Sequence, residues 1–229
     1  MTIQLFGGNG KMGRAIQNVL CARDIAGAKL GGVIDKEGEN AIALEMAYTL
    51  PCDILIDVSH HDATNKCLAY ALARHIPLLI ATTGHTPQEM TDIEQASLSI
   101  PILLCENLSP GMRWLKRCML AGANLFPSAT VTISETHHIS KVDSPSGTAL
   151  RLEALLETQG FCGDIRIVSE RVGEQVGTHH ITFEAEGEAI SICHKVYDRT
   201  VYAREGVRGA LWLARQPKGL YRTEDMERI

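Results

Sequence analysis

Apolar and polar residues alternate through positions 129–138, ATVTISETHH. A period of two predicts a half-buried strand, with Val131, Ile133, Glu135 and His137 on one face. Lys141 stands four residues after His137, past the predicted strand end and before the turn that Pro145 demands. Ser146-Gly147-Thr148 then opens ALRLEALLE, a run of strong helix formers halted at Gly160, which predicts a helix over 148–158. Upstream the pattern differs. Short apolar runs at Thr2–Phe6, Lys29–Ile34, 53–58, 77–81 and 101–105 read as buried parallel strands, and helical stretches separate them. One is predicted over 62–75. Another starts at Thr86-Pro87-Gln88-Glu89, a capping box with proline at the first helical position. A third, capped by Ser109 and Pro110, runs to 122–124. Downstream, runs from Ile165, Thr178 and Ala189 carry strand patterns separated by turn signals such as Gly173, Gly177 and Gly187. The segment 206–216 reads as a last helix, packing back on the first part of the chain.

The first strand leads directly into Gly7-Gly8-Asn9-Gly10-Lys11-Met12-Gly13. Gly7, Gly10 and Gly13 permit a tight turn, close backbone approach to a pyrophosphate, and close packing of helix on strand. Asp35 ends the next strand 22 positions after Gly13, at the spacing of an acid that bonds the adenosine ribose hydroxyls. Asp35 favours NADH, whereas Lys11 and Lys36 are placed to receive the 2′-phosphate of NADPH, so both cofactors stay open. The expected fold is α/β. A Rossmann-type parallel-sheet domain takes 1–108 and 208–229. A smaller α+β domain with a mostly antiparallel, mixed sheet takes 109–207 and is expected to carry the substrate site.

With 45% hydrophobic and 21% charged residues in 229, the composition is that of an ordinary globular protein. A formal net charge of -5 argues against nucleic acid as partner. The N-terminus lacks a basic region and reaches glycine after six residues, so neither leader nor membrane span is expected. The seven cysteines include no CxxC pair. Their placement in apolar segments predicts buried, reduced thiols and a cytoplasmic protein. No His/Cys spacing resembles a zinc site, and no metal is expected.

The chemistry concentrates in the sixteen residues ETHHISKVDSPSGTAL, Glu135–Leu150 by number 135–150. Taken singly, a histidine pair at a strand end reads as surface or core, and Ser-Gly before a helix reads as a cap. Their convergence points to a pocket for a small anionic substrate. His137 is a candidate acid because imidazole titrates near neutrality. Lys141 is suited to hold a carboxylate or assist protonation, and Gly147 and Thr148 offer donors at a helix N-terminus to a second one. Behind a nicotinamide domain, this predicts a reductase. Another amino-acid-pathway dehydrogenase, or a non-catalytic dinucleotide sensor, are the alternatives.

The same stretch resembles the motif E-x-H-H-x-x-K-x-D-x-P-S-G-T-A of the dihydrodipicolinate reductase family. GNGKMGR at 8–14, TTG at 82–84, NLSPG at 107–111, HK at 194–195 and VRGALWL at 207–213 resemble family segments in the same order. The resemblance implies reduction of 4-hydroxy-tetrahydrodipicolinate to tetrahydrodipicolinate with NADH or NADPH, in diaminopimelate and lysine biosynthesis, by a homotetramer whose 109–207 substrate-binding domain also serves oligomerisation. It implies His137 as proton donor with Lys141 as partner. His138, Lys141, Ser146, Gly147, Thr148 and Arg208 would hold a small dicarboxylate substrate. Gly7, Gly10, Lys11, Met12, Gly13, Asp35, Lys36, Ala81, Thr83 and the 105–108 segment, from Cys105 to Leu108, would hold the cofactor. The chain departs from the family pattern at Ala81, usually glycine, at Ile139-Ser140, usually basic, and at His60, often arginine.

Overall fold

The computed structural model describes residues 1–38, 40–174 and 176–227. The chain opens with β1 (Thr2–Phe6), α1 (Lys11–Cys21), β2 (Lys29–Ile34), β3 (Ala41–Ile42), α2 (Leu44–Ala47) and β4 (Ile54–Asp57). It continues through α3 (Thr64–Arg74), β5 (Leu78–Ile80), α4 (Pro87–Ser97) and β6 (Pro101–Leu104). Next come α5 (Pro110–Leu125), β7 (Thr130–His137), α6 (Gly147–Thr158), β8 (Ile165–Arg171), β9 (Gly177–Ala185) and β10 (Glu188–Val196). Helix α7 (Thr200–Leu213) and strand β11 (Gly219–Arg222) follow.

Two compact units result, Met1–Leu108 with Thr200–Ile229, and Ser109–Arg199. The chain re-enters the first unit at Thr200, eight residues before the expected Arg208. Helix α7 already begins there, and it buries Ala203, Val207, Ala210 and Leu213, spaced three and four residues apart, in the core of that unit. The intervening Arg204-Glu205-Gly206 obscures this stripe in the sequence.

In the first unit, seven parallel strands run in the order β11-β6-β5-β4-β1-β2-β3. Ile3, Leu5, Ile54, Leu55, Ile56, Leu78, Leu79 and Ile80 are fully buried, because helices cover both faces of such a sheet. Each side chain contributes about 1.5–3 kcal/mol. Strand order reverses between β1 and β4, so the carboxyl ends of these two strands form the crevice where open α/β sheets take ligands. Strand β11 and the short β3 were not expected. At four and two residues, they are too brief to show a period.

The second unit is a four-stranded sheet, β10-β9-β7-β8, antiparallel except where β7 meets β8. Helices α5 and α6 press Met112, Leu115, Met119, Leu152 and Leu156 onto Val131, Ile133, Ile181 and Phe183. The burial of β7 alternates strictly, with Val131, Ile133, Glu135 and His137 inside.

Candidate active site

Strand β7 ends its inward row with two polar side chains. Glu135 is wholly enclosed, and it accepts hydrogen bonds from the Ser146 backbone N–H (3.1 Å) and Arg171 Nη1 (3.0 Å). It also pairs with His137 Nδ1. Burial pushes Glu135 up, but Ser169, Arg171 and His137 together outweigh that and hold it below the usual carboxylate range. A carboxylate only accepts, so Nδ1 carries the proton and Nε2 is left for chemistry. Nε2 faces Gly177, where a Cβ would come within 3.0 Å. Burial lowers the pKa of His137. Glu135 opposes the shift, while Lys141 and Arg171 add to it.

Lys141 follows in the turn after β7 and donates to both oxygens of Asp143, at 2.7 and 2.8 Å. Asp143 Oδ2 also accepts the Gly147 N–H at 3.2 Å. Its main-chain carbonyl accepts from Arg171 Nη2. Buried Ser146 caps α6 by accepting the Ala149 N–H at 3.2 Å. Gly147 lies exposed, with open space where a side chain would stand. His138 Nδ1 pairs with Ser140 Oγ at 2.8 Å, and Thr148 is half-buried in the first turn of α6.

The structure thus gathers His137, His138, Lys141, Ser146, Gly147 and Thr148 in one strand–turn–helix unit. Arg208 belongs to the first unit instead, on α7, where Nη1 donates to Glu205 at 2.9 Å. Sequence reasoning missed Arg171 and His179. Arg171 is directly opposite His137 in the β7–β8 register. His179 is 5% exposed, its ring edge-on to His137 at 5.2 Å and stacked on His194 at 6.5 Å. Among the described residues, neither ring nitrogen of His179 has a hydrogen-bond partner. His194 Nε2 pairs with Ser109 Oγ at 2.9 Å.

In the first unit, a Cβ on Gly13 would come within 2.4 Å of the Gly8 backbone, and one on Gly7, at φ +78°, within 2.4 Å of Ser59 Cα. Only glycine permits that crossing of loop over strand end. Gly10 precedes α1 in extended conformation and gives the helix no side-chain cap, so its leading N–H groups suit a pyrophosphate. Asp35 Oδ2 accepts the Asn9 N–H and Oδ1 the Lys36 N–H, both at 2.8 Å. Lys11 and Lys36 are exposed. Met12, Ala81, Thr83, Cys105 and Leu108 line one cavity of about 350 Å³. Tyr202 lines it as well, and no sequence signal marked it. These residues fit a dinucleotide. Of the cysteines expected to be buried, Cys21, Cys162 and Cys193 are exposed, because they stand at a helix end, a loop and an outward strand position.

Residues 1–108 match the family described as "Dihydrodipicolinate reductase, N-terminus", and residues 111–226 match "Dihydrodipicolinate reductase, C-terminus". The chain belongs to the dihydrodipicolinate reductase family. Its members are NAD(P)H-dependent oxidoreductases of diaminopimelate and lysine biosynthesis, and so is this chain. The 4-hydroxy-tetrahydrodipicolinate reductase of Akkermansia muciniphila is 36% identical, over 99% of this chain and 97% of its own. That of Zymomonas mobilis is 34% identical, over 98% and 96%. Among solved structures, a dipicolinate-bound dihydrodipicolinate reductase from Paenisporosarcina sp. TG-14 shares the fold at TM-score 0.83. It is 20% identical, with 97% of each chain covered. Among the described residues, no helix is long and apolar enough to cross a membrane.

Proposed function

We propose that this member of the family reduces 4-hydroxy-tetrahydrodipicolinate to tetrahydrodipicolinate with NADH or NADPH, His137 giving the proton and Lys141 assisting. The observation that carries this reading is the His137 ring, tied through Nδ1 to buried Glu135 beside Lys141 and the start of α6. Bound dinucleotide would supply the hydride. Gly7, Gly10, Lys11, Met12 and Gly13 would cradle its phosphates, Asp35 and Lys36 its adenosine ribose, and Ala81, Thr83, Cys105 and Leu108 its nicotinamide end. Lys141 and the donors of Ser146, Gly147 and Thr148 would take the substrate carboxylates, with His138 and Arg208 as further contacts. The burial that lowers His137 leaves it mostly neutral at pH 7 in the free enzyme. An arriving dianion raises its proton affinity, so the acid is charged when there is something to protonate. The assembly implied is a homotetramer, and the outward sheet face bearing exposed Val168 is a surface it would use.

The test is oxidation of NADH or NADPH followed by absorbance, with the preceding synthase generating substrate in place. His137→Gln should lower kcat by about 10²–10⁴-fold while dinucleotide affinity changes little. A variant as active as the wild type sinks the assignment.

A further inference from the structure

Lys141 and the N-terminus of α6 already hold a carboxylate, and it is the protein's own. Asp143 accepts from Lys141 Nζ through both oxygens and from the Gly147 N–H through Oδ2. We propose that Asp143 is a built-in competitor for the substrate carboxylate. It occupies the anion position and must be displaced by any incoming carboxylate, which lowers the affinity of all of them by a common factor, so a ligand needs a second anchoring group to bind well. This rests on the substrate site described under the proposed function and goes beyond it.

Three features make Asp143 a displaceable occupant rather than a fixed strut. Its side chain is 54% exposed, against 23% for Lys141 and 0% for Glu135, so it has water to swing into. Its main chain is held separately, through the carbonyl that accepts from Arg171 Nη2. The side chain can therefore leave while Arg171 keeps its grip on Glu135, and Glu135 its grip on His137. Beside Gly147, where a Cβ would meet nothing within 4 Å, there is room for an incoming group.

The consequence is an affinity threshold common to all carboxylates. A monocarboxylate that displaces Asp143 replaces one carboxylate by another on the same donors, so the gain is small. A dicarboxylate makes the same exchange and adds contacts of its second group, so its net affinity survives the competition. The charged group that meets the Asp143 carboxylate is Lys141, while Arg171 holds its main chain.

The test is calorimetric titration of the full-length protein with dipicolinate and with pyridine-2-carboxylate, for wild type, Asp143→Asn and Asp143→Ser. Asparagine retains an acceptor for Gly147 but loses the charge that holds Lys141. The expected result is a dipicolinate dissociation constant about tenfold lower in both variants, with the monocarboxylate gaining by the same factor, since both make the same exchange. Unchanged or weaker dipicolinate binding in a variant that melts like wild type overturns the inference, since Asp143 then merely props Lys141 in place. Should Asp143→Asn fail to fold, Asp143→Ser decides by the same criterion. A wild type that binds no dipicolinate overturns the substrate site itself, and the inference with it.

Discussion

Replacing His179 by phenylalanine should change how stability depends on pH far more than it changes stability at neutral pH. The imidazole is 5% exposed, and neither nitrogen has a partner among the described residues. In the sheet register it stands opposite Glu135 on one side and His194 on the other. Burial first, then the neighbouring His137 and His194, lower its pKa from the ordinary 6.5 to about 4, while Glu135 opposes and Lys141 adds to the shift. The folded protein thus keeps the ring neutral where the unfolded chain would charge it. Stability is full above pH 6.5 and is lost as the pH falls from 6.5 towards about 4. At about 1.4 kcal/mol per pH unit, the loss comes to about 3 kcal/mol, most of it gone by about pH 4.5. Phenylalanine fills a similar ring volume and needs no partner, so near pH 7.5 the variant should lie within about 1 kcal/mol of wild type. His137 and His194 are also held below their ordinary values, and they titrate in both proteins, so the difference between the two curves reports His179 together with its coupling to them. Urea unfolding at a series of pH values supplies those curves. Wild type and variant running parallel from neutral to acid pH would refute the reasoning, because the ring would then be solvated or charged in the folded state.

What was legible in the sequence was whatever is written locally. The alternation of β7 placed Glu135 and His137 on one inward face, and the helix formers after Ser146-Gly147-Thr148 placed the start of α6 beside them. Thr86 and Glu89 form the expected capping box, and the glycine loop leads from β1 into α1 with Asp35 at the end of β2. Each of these signals needs at most a few consecutive residues. The remainder of the site depends on pairing between distant segments. Arg171 meets Glu135 because β8 lies parallel to β7, and His179 and His194 reach the same row because β9 and β10 fold back against it. No local periodicity encodes that register, so Arg171 and His179 had no signal of their own. Asp143 was visible as an aspartate in the central stretch. Its role depends on a turn whose path Arg171 fixes from another strand.

Two further outcomes follow from the geometry. Asp35→Ala should weaken NADH about tenfold and NADPH less, since only NADH presents a free 2′-hydroxyl to the carboxylate that the Asn9 and Lys36 N–H groups orient. Fluorescence titration of both dinucleotides measures this, and equal losses would contradict it. Glu135→Gln tests the hub of the site. The carboxylate meets a donor at every contact, with Ser146 and Arg171 on Oε1 and His137 on Oε2. An amide can keep its oxygen on Ser146 and Arg171 and turn its NH₂ to His137, whose Nδ1 accepts only if the ring moves its proton to Nε2. The charge that faces buried Arg171 is lost, which should cost about 3–5 kcal/mol at neutral pH. Glu135 is held below its ordinary 4.5, so the wild-type advantage should shrink as the pH falls below 4.5. Without the carboxylate to favour its charged form, His137 should titrate lower still, and the pH above which kcat falls should move down. Unfolding measurements and a pH–rate profile decide together. Stability matching wild type at pH 7, with an unmoved profile, would mean that Glu135 does not hold His137.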